Sequence, residues 1–170
     1  GLQAYQGSAQ HLRPPDERRA AITAAASIAA ETRDRLEAAG LPCPIITGAG
    51  TGTYMLEGAS GVWNELQPGS YAFMDVDYAR NATDHPFEHS LTLLASVISA
   101  GGIREGAVPE RAVLDAGLKA SSVDSGLPLL AGDANGDALP GLEYVRPSDE
   151  HGILIARGGA PLPRPGAKVR

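Results

Sequence analysis

The chain has 170 residues, of which 43% are hydrophobic, so it can form a substantial core in one domain or in parts of two. Its formal net charge is −6, with both signs spread along the sequence, which argues against nucleic acid or an anionic membrane as a partner. The single cysteine, Cys43, excludes an internal disulfide framework, and no apolar stretch is long enough to span a membrane, which together favour a cytoplasmic protein.

The first part of the chain is predicted to form a strand, a helix and a second strand. The strand covers residues 1–7, and the helix begins at Pro14 and Pro15, because proline is well tolerated in a first helical turn. The helix should run to about Ala39, where Gly40 ends it. Residues 43–47 are apolar and suit a buried strand, with Cys43 as a core thiol. This order predicts parallel strands with a right-handed connection.

The second strand runs directly into a turn rich in glycine and threonine, with the sequence IITGAGTGT at residues 45–53. Glycines let the backbone approach a ligand closely, successive N–H groups at such a turn bind anions, and threonine hydroxyls add neutral donors. The turn therefore predicts a phosphate site, with an ordinary turn as the alternative. Ligands of parallel folds lie at the carboxyl ends of the strands, where Tyr5 would also lie, and this agreement favours phosphate.

The rest of the chain is predicted to be rich in short strands separated by Pro and Gly. The predicted strands lie within residues 71–74, 90–99, 112–115, 141–145 and 152–156, and another begins at residues 166–170. We expect half of a βα barrel at residues 1–84 and a β-rich domain at residues 85–170. Because both ends of the chain resemble interrupted strands, we also expect it to be part of a longer protein.

Three further motifs are weaker candidates for function. The string HPFEH at residues 85–89 matches a zinc-binding pattern, but Pro86 interrupts the helix that such a site needs, so we predict a solvated loop between domains. Residues 133–137 are predicted to form a turn, because the positions after them do not fit a calcium loop. Glu150 could orient His151, although a surface turn is the preferred interpretation.

Five stretches, taken together and in order, resemble the family of D-threonine aldolase, 3-hydroxy-D-aspartate aldolase and D-serine dehydratase. They are GLQAYQGSAQH at residues 1–11, TGAGTGT at 47–53, ELQPGSYAFMD at 65–75, DAGLKA at 115–120 and EHG at 150–152. The resemblance covers essentially the whole chain, and the opening stretch looks closest to the 3-hydroxy-D-aspartate aldolase branch.

The resemblance implies the C-terminal part of a (β/α)8 alanine-racemase-like barrel that holds pyridoxal 5'-phosphate (fold type III), followed by part of a C-terminal β domain. Gly50, Thr51 and Gly52 match the phosphate-binding turn of the family, and Tyr5 matches a Tyr or His beside the pyridine ring.

The family's other catalytic parts are expected outside this sequence. The Schiff-base lysine of the family would precede Gly1, and its divalent-metal ligands would follow Arg170, so the resemblance predicts no catalytic or metal-binding residue within the chain. Lys119 lies in the wrong part of the fold to replace that lysine.

The activity that the resemblance implies is a metal-assisted aldolase reaction, with Mn, Mg or Zn as the divalent metal. Such an enzyme cleaves β-hydroxy-D-amino acids, D-threonine or 3-hydroxy-D-aspartate, to glycine and an aldehyde, and would act as a homodimer. D-serine dehydratase is the alternative within the family. A non-catalytic module that binds phosphate or pyridoxal phosphate is the alternative from another class.

Overall fold

The computed structural model describes residues 1–82, 86–101 and 111–170. The chain divides into two compact units, Gly1–Leu91 and Thr92–Arg170. The domain boundary predicted between residues 84 and 85 lies outside the described residues.

The first unit contains a three-stranded parallel sheet. Its strand order is β1-β2-β3, with β1 at Leu2–Ala4, β2 at Ile46–Gly48 and β3 at Glu65–Leu66. Leu2 pairs with Ile46, and Gly48 pairs with Leu66, in parallel register. The predicted strand–helix–strand unit with parallel strands is therefore confirmed.

The connection between β1 and β2 contains the long helix α1, Pro15–Ala38. Pro14 precedes it in an extended conformation, and the acidic Asp16 and Glu17 lie in the first turn, where the helix dipole favours negative charge. Gly40 follows the helix with a φ of +77°, which glycine adopts without strain. The predicted bounds of this helix are confirmed to within one residue.

The core of the first unit lies between α1 and the sheet. Its buried members are Ala9, Ile22, Ala29, Cys43, Ile46 and Trp63. Cys43 is buried, as predicted, but the strand begins only at Ile46. Asn64 holds the start of β2, because its side chain accepts from the Ile46 N–H at 2.9 Å and donates to the Pro44 carbonyl at 2.7 Å.

The strand predicted at residues 71–74 is wrong. Ser70–Ala72 forms a short 3-10 helix, and Met74 has a φ of +54°, which is incompatible with a strand. The amide of Tyr71 donates to the Thr51 hydroxyl at 3.0 Å instead of to a neighbouring strand. Two short helices were also missed, α2 at Tyr54–Ala59 and α3 at Val76–Ala79, the second capped by the Asp75 side chain.

The second unit is an antiparallel sheet of five strands in the order β6-β7-β5-β4-β8. The strands are β4 Ala95–Gly101, β5 Arg111–Leu114, β6 Leu142–Pro147, β7 Gly152–Ala156 and β8 Lys168–Val169. Its core centres on Leu154, with Val97, Ala112 and Tyr144 packed nearby. The β-rich second half is confirmed, although the strand predicted within residues 90–99 starts only at Ala95.

Among the described residues, no helix combines the length and the apolar character needed to cross a membrane.

Candidate functional site

A cavity of about 320 Å³ opens at the carboxyl end of the parallel sheet of the first unit. Tyr5 follows β1, Ala49 follows β2 and Gln67 follows β3, so every strand contributes to its wall. The lining residues are Gln3, Tyr5, Ala49, Gly50, Thr51, Gln67, Gly69, Ser70 and Tyr78. The cavity is large enough for a small phosphorylated cofactor. Tyr5 and the Gly-Thr turn thus line one cavity.

The turn after β2, which we call the cavity loop (residues 49–52), presents backbone N–H groups. Ala49 has a φ of +69°, an unfavourable conformation for a residue with a side chain, so the positive φ falls on Ala49 and not on Gly50. Within the described ranges, the N–H groups of Gly50 and Thr51 donate to no protein acceptor, whereas the N–H groups of Thr53 and Tyr54 donate to the Gly50 carbonyl. Two successive free amides at a turn suit an anion.

The glycines of the cavity loop are required by close packing against Gln10. A Cβ on Gly50 would lie 2.4 Å from Gln10 Oε1, and a Cβ on Gly52 would lie 2.2 Å from the Gln10 carbonyl oxygen. The Gly52 N–H donates to Gln10 Oε1 at 3.1 Å, so this amide points into the protein and away from a ligand. Gly52 therefore adjoins the site, but the structure commits its N–H elsewhere.

Thr51 is buried and connects the cavity loop to the segment after β3. Its hydroxyl oxygen accepts from the Tyr71 N–H at 3.0 Å, which leaves the hydroxyl proton to be donated to a ligand. The side chain therefore has two roles, fixing the backbone at Tyr71 and supplying one neutral donor to the cavity.

Hydroxyl groups form much of the remaining cavity wall, and in the described part of the chain none of the lining residues carries a charged side chain at neutral pH. Burial raises the pKa of Tyr78, and the neighbouring Tyr5 and Asp75 raise it further, while a hydrogen bond with Ser70 acts in the opposite direction. Tyr78 is therefore a neutral donor at neutral pH. A phosphate in this cavity would be held by neutral donors and not by a lysine or an arginine.

Behind the cavity loop, three buried polar side chains form a continuous row. Gln10 Nε2 donates to the Thr53 hydroxyl at 2.7 Å, and this hydroxyl donates to Glu57 Oε1 at 2.7 Å. Gln10 and Glu57 are fully buried and Thr53 is 2% exposed. Glu57 Oε2 has no partner among the described residues, and burial raises the pKa of this carboxyl, partly offset by the hydrogen bond from Thr53.

We expect Glu57→Gln to stabilise the protein increasingly as the pH rises from about 4 to 7. The raised pKa of Glu57 means that the unfolded chain loses this proton first, near pH 4.3. The folded state therefore loses stability as the pH rises through the folded-state pKa, and the glutamine variant avoids that loss. Melting temperatures of parent and variant across this range test the expectation, which a constant difference at every pH would contradict.

Two side chains from the segment before α1 meet a carboxylate of α3. Arg13 and His11 both pair with Asp77, the His11 Nδ1–Asp77 Oδ2 distance being 2.8 Å. The His11 ring packs against Tyr78 in a tilted arrangement, with a centroid distance of 4.8 Å and an angle of 39° between the ring planes. This cluster therefore supports one wall of the cavity from outside.

The other sequence candidates do not form sites in the described residues. His85 of the HPFEH string, for which a solvated loop was predicted, lies outside them, and His89 Nε2 contacts the Asp75 carbonyl at 3.0 Å. The described residues contain no group of three His, Cys, Asp or Glu able to hold a metal. Glu150 pairs with Lys119 at 2.6 Å.

The predicted turn at residues 133–137 is confirmed. The Asp133 carboxylate accepts the N–H groups of Asn135 and Asp137.

Sequence reasoning missed the roles of Gln10, Ser70 and Tyr78. Gln10 lies in a short stretch with no periodicity, and Tyr78 lies in an unpredicted helix of four residues. The available signal for Ser70 was its place directly after Pro68 and Gly69, two residues typical of turns.

Comparison with known proteins gives relatives over the whole chain. Residues 90–170 match the family described as a putative serine dehydratase domain. The chain is 45% identical to a D-threonine aldolase from an Arthrobacter species over 172 aligned residues, covering 100% of this chain and 42% of that protein. It is 43% identical to a 3-hydroxy-D-aspartate aldolase from Paracoccus denitrificans (strain Pd 1222), covering 94% of this chain and 40% of that protein.

Solved structures of similar proteins also superpose on this chain. The crystal structure of D-threonine aldolase from Filomicrobium marinum superposes with a TM-score of 0.86 at 47% identity, covering 99% of this chain and 42% of that one. An alanine-racemase-like protein from Idiomarina loihiensis superposes with a TM-score of 0.72 at 19% identity, covering 99% of this chain and 47% of that one, and so supports the fold alone. The chain thus spans about two fifths of the curated relatives it matches.

Proposed function

Because this chain belongs to the family of D-threonine aldolase, 3-hydroxy-D-aspartate aldolase and D-serine dehydratase, with its alanine-racemase-like fold, we propose that it is part of a longer pyridoxal phosphate-dependent lyase. The complete protein would cleave a β-hydroxy-D-amino acid, D-threonine or 3-hydroxy-D-aspartate, to glycine and an aldehyde. Residues 1–84 would be the C-terminal part of a (β/α)8 barrel, and residues 85–170 part of the C-terminal β domain. A homodimer and a cytoplasmic location are further parts of the proposal.

The observation that carries the proposal is the cavity at the ends of the three parallel strands. Gly50 and Thr51 line it, their backbone N–H groups have no acceptor among the described residues, and Thr51 adds a hydroxyl proton. These donors fit the phosphate of pyridoxal phosphate, whose charge strengthens each hydrogen bond. We assign Gly50 and Thr51 as phosphate donors, and Gly52 as the residue that allows the loop to approach Gln10.

Tyr5 is assigned to the pyridine ring of the cofactor. It lines the cavity at the end of β1 and is 52% exposed, so its ring can contact a ligand. When bound, pyridoxal phosphate supplies an electron sink for the negative charge left at the substrate Cα as the Cα–Cβ bond breaks. Tyr5 would orient that ring, while the cavity loop holds the phosphate.

The remaining chemistry is assigned to other parts of the complete protein. Lys119 pairs with Glu150 and does not line the cavity, which agrees with a cofactor lysine located elsewhere. A divalent metal (Mn, Mg or Zn) also remains a proposal for the complete protein, since the described residues offer no cluster of three suitable ligands.

The experiment that tests the proposed function compares the products formed from three substrates. The complete protein, supplied with pyridoxal phosphate and a divalent metal, should release glycine and an aldehyde from D-threonine or 3-hydroxy-D-aspartate. Ammonia and a keto acid from D-serine would instead indicate the dehydratase alternative. Cofactor binding without turnover of any of the three would favour the non-catalytic module.

We expect Tyr5→Phe to change the cofactor spectrum or the turnover rate more than the cofactor affinity. The substitution keeps the aromatic ring at the end of β1 and removes only its hydroxyl. The cavity loop, to which the phosphate is assigned, is left intact, so most of the affinity should remain. Absorbance titration gives the affinity and steady-state kinetics give kcat on the same preparation. A variant that loses affinity and keeps the parental kcat would contradict the assignment to the pyridine ring.

A further inference from the structure

The row formed by Gln10, Thr53 and Glu57 lies behind the cavity loop, and none of its members lines the cavity. Gln10 and Glu57 are fully buried, and Thr53 is 2% exposed. Burying three polar side chains costs free energy unless each finds partners, and an apolar side chain would fill the same space without that cost. The row therefore does more than fill space: its hydrogen bonds hold the cavity loop in a particular conformation.

The side-chain amide of Gln10 bonds to the backbone of Gly52 and to the side chain of Thr53. Its Oε1 accepts from the Gly52 N–H at 3.1 Å, and its Nε2 donates to the Thr53 hydroxyl at 2.7 Å. Its own carbonyl accepts from Asn81 Nδ2 at 2.8 Å, which anchors Gln10 itself. One amide side chain thus sets the position and orientation of the peptide that joins Thr51 to Gly52.

Thr53 and the Gln6 carbonyl together set which way the Gln10 amide faces. The Gln6 carbonyl can only accept, and it accepts from Gln10 Nε2 at 3.3 Å. A hydroxyl carries one proton, and the Thr53 proton is used in the bond to Glu57 Oε1 at 2.7 Å. The Thr53 oxygen can then only accept from Gln10, so the amide must present Nε2 to Thr53 and Oε1 to Gly52. A flipped amide would place an oxygen against the Thr53 oxygen and an NH2 group against the Gly52 N–H.

We infer that Gln10, held in one orientation by Thr53 and the Gln6 carbonyl, is a positioning residue for the cofactor phosphate, acting through the backbone of the cavity loop. By directing the Gly52 N–H inward, it leaves the N–H groups of Gly50 and Thr51 to serve the cavity. The inference rests on the proposed function, because it takes the anion in the cavity to be the phosphate of pyridoxal phosphate. Its consequence is selective: Gln10 should influence the phosphate and not the ring.

The test compares binding of pyridoxal phosphate with binding of pyridoxal, which lacks the phosphate, in the complete protein. Gln10→Met keeps an unbranched side chain of similar size and removes the hydrogen bonds that the amide makes to Gly52, Thr53 and the Gln6 carbonyl. We expect its affinity for pyridoxal phosphate to fall by about tenfold, the equivalent of one lost charge-assisted hydrogen bond, while its affinity for pyridoxal stays at the parental value. Isothermal titration of both ligands measures the ratio directly.

Thr53 supplies a matched pair of variants. Thr53→Val keeps the side-chain shape and removes the hydroxyl that orients Gln10, so it should lower the same ratio. Thr53→Ser restores the hydroxyl and should recover it. Asn64→Ala is the control for general loss of stability, because Asn64 secures the start of β2 and not its cavity end. The control should leave the ratio unchanged even if it lowers the melting temperature.

The outcomes separate this inference from the proposed function. A parent that binds pyridoxal and pyridoxal phosphate equally well has no phosphate site, and the proposed function fails with the inference. A parent that prefers pyridoxal phosphate, combined with a Gln10→Met variant of unchanged preference, overturns the inference alone. Equal loss of affinity for both ligands in Gln10→Met and Thr53→Val would also overturn it, because the row would then act only on folding.

Discussion

Gly50→Ala should lower the affinity of the complete protein for pyridoxal phosphate by at least about tenfold, which corresponds to a loss of ~1.4 kcal/mol. The added Cβ would lie 2.4 Å from Gln10 Oε1 and 2.6 Å from Gln10 Cδ, closer than carbon atoms approach in folded proteins. Gln10 is fully buried and hydrogen-bonded at both ends of its amide, so it cannot withdraw. The cavity loop must move instead, and its two free N–H groups move with it.

Gly58→Ala is the matched control for this substitution. Gly58 lies in α2 of the same unit, and a Cβ there would meet only Leu66 Cδ1 at 3.4 Å, an ordinary contact. Alanine is the better helix former, so this variant should be as stable as the parent or more stable by about 0.5–1 kcal/mol. Both variants should be titrated with pyridoxal phosphate. Parental affinity in Gly50→Ala would show that the loop does not hold the phosphate.

The long helix could be predicted from the sequence because its signals are local. Pro15 at its start and Gly40 after its end each act on their own backbone, and Ile22 and Ala29 repeat at helical spacing on the buried face. The parallel pairing of β1 and β2 followed from the same order of elements. Neither prediction required knowledge of a specific contact between distant residues.

The segment after β3 could not be predicted, because a distant contact decides its structure. Tyr71 and Phe73 alternate with small residues, a pattern typical of a strand. The Tyr71 amide is bound by Thr51, 20 positions earlier, and Met74 takes a positive φ while its own amide bonds back to the Ser70 carbonyl. Among the described residues no strand pairs with this segment to stabilise an extended form, so the chain turns.

The site itself was predictable only in part, for the same reason. Glycines and threonines after a buried strand pointed to the cavity loop from local sequence alone. The Gly52 N–H is taken up by Gln10, 42 positions earlier, and a buried glutamine leaves no periodic signal in an irregular stretch. Gly52 was accordingly predicted as a donor to phosphate, although its N–H serves Gln10.

Trp63→Ala should cost about 3–5 kcal/mol of folding free energy, the range measured for large aromatic side chains removed from cores. Trp63 is 5% exposed and belongs to the core that joins α1 to the sheet. Its Nε1 donates to the Ala4 carbonyl at 2.9 Å, and it packs so closely over β2 that a Cβ on Gly48 would lie 2.9 Å from that nitrogen. The indole thus fixes the ends of β1 and β2 from which Tyr5 and the cavity loop emerge.

Two variants separate the contributions to that loss. Trp63→Phe keeps most of the apolar burial and gives up the hydrogen bond to Ala4, so it should cost less, about 1–3 kcal/mol. Phe73→Ala removes an aromatic ring that is 56% exposed and should cost about 0.5 kcal/mol or less. Urea unfolding of the complete protein, followed by circular dichroism, gives all three values. Equal costs for Trp63→Ala and Phe73→Ala would contradict the central place of the indole. A large cost in Trp63→Phe would instead assign most of the effect to the hydrogen bond from Trp63 Nε1 to the Ala4 carbonyl, which holds the end of β1. Tyr5, which follows β1, should then also lose its position in that variant.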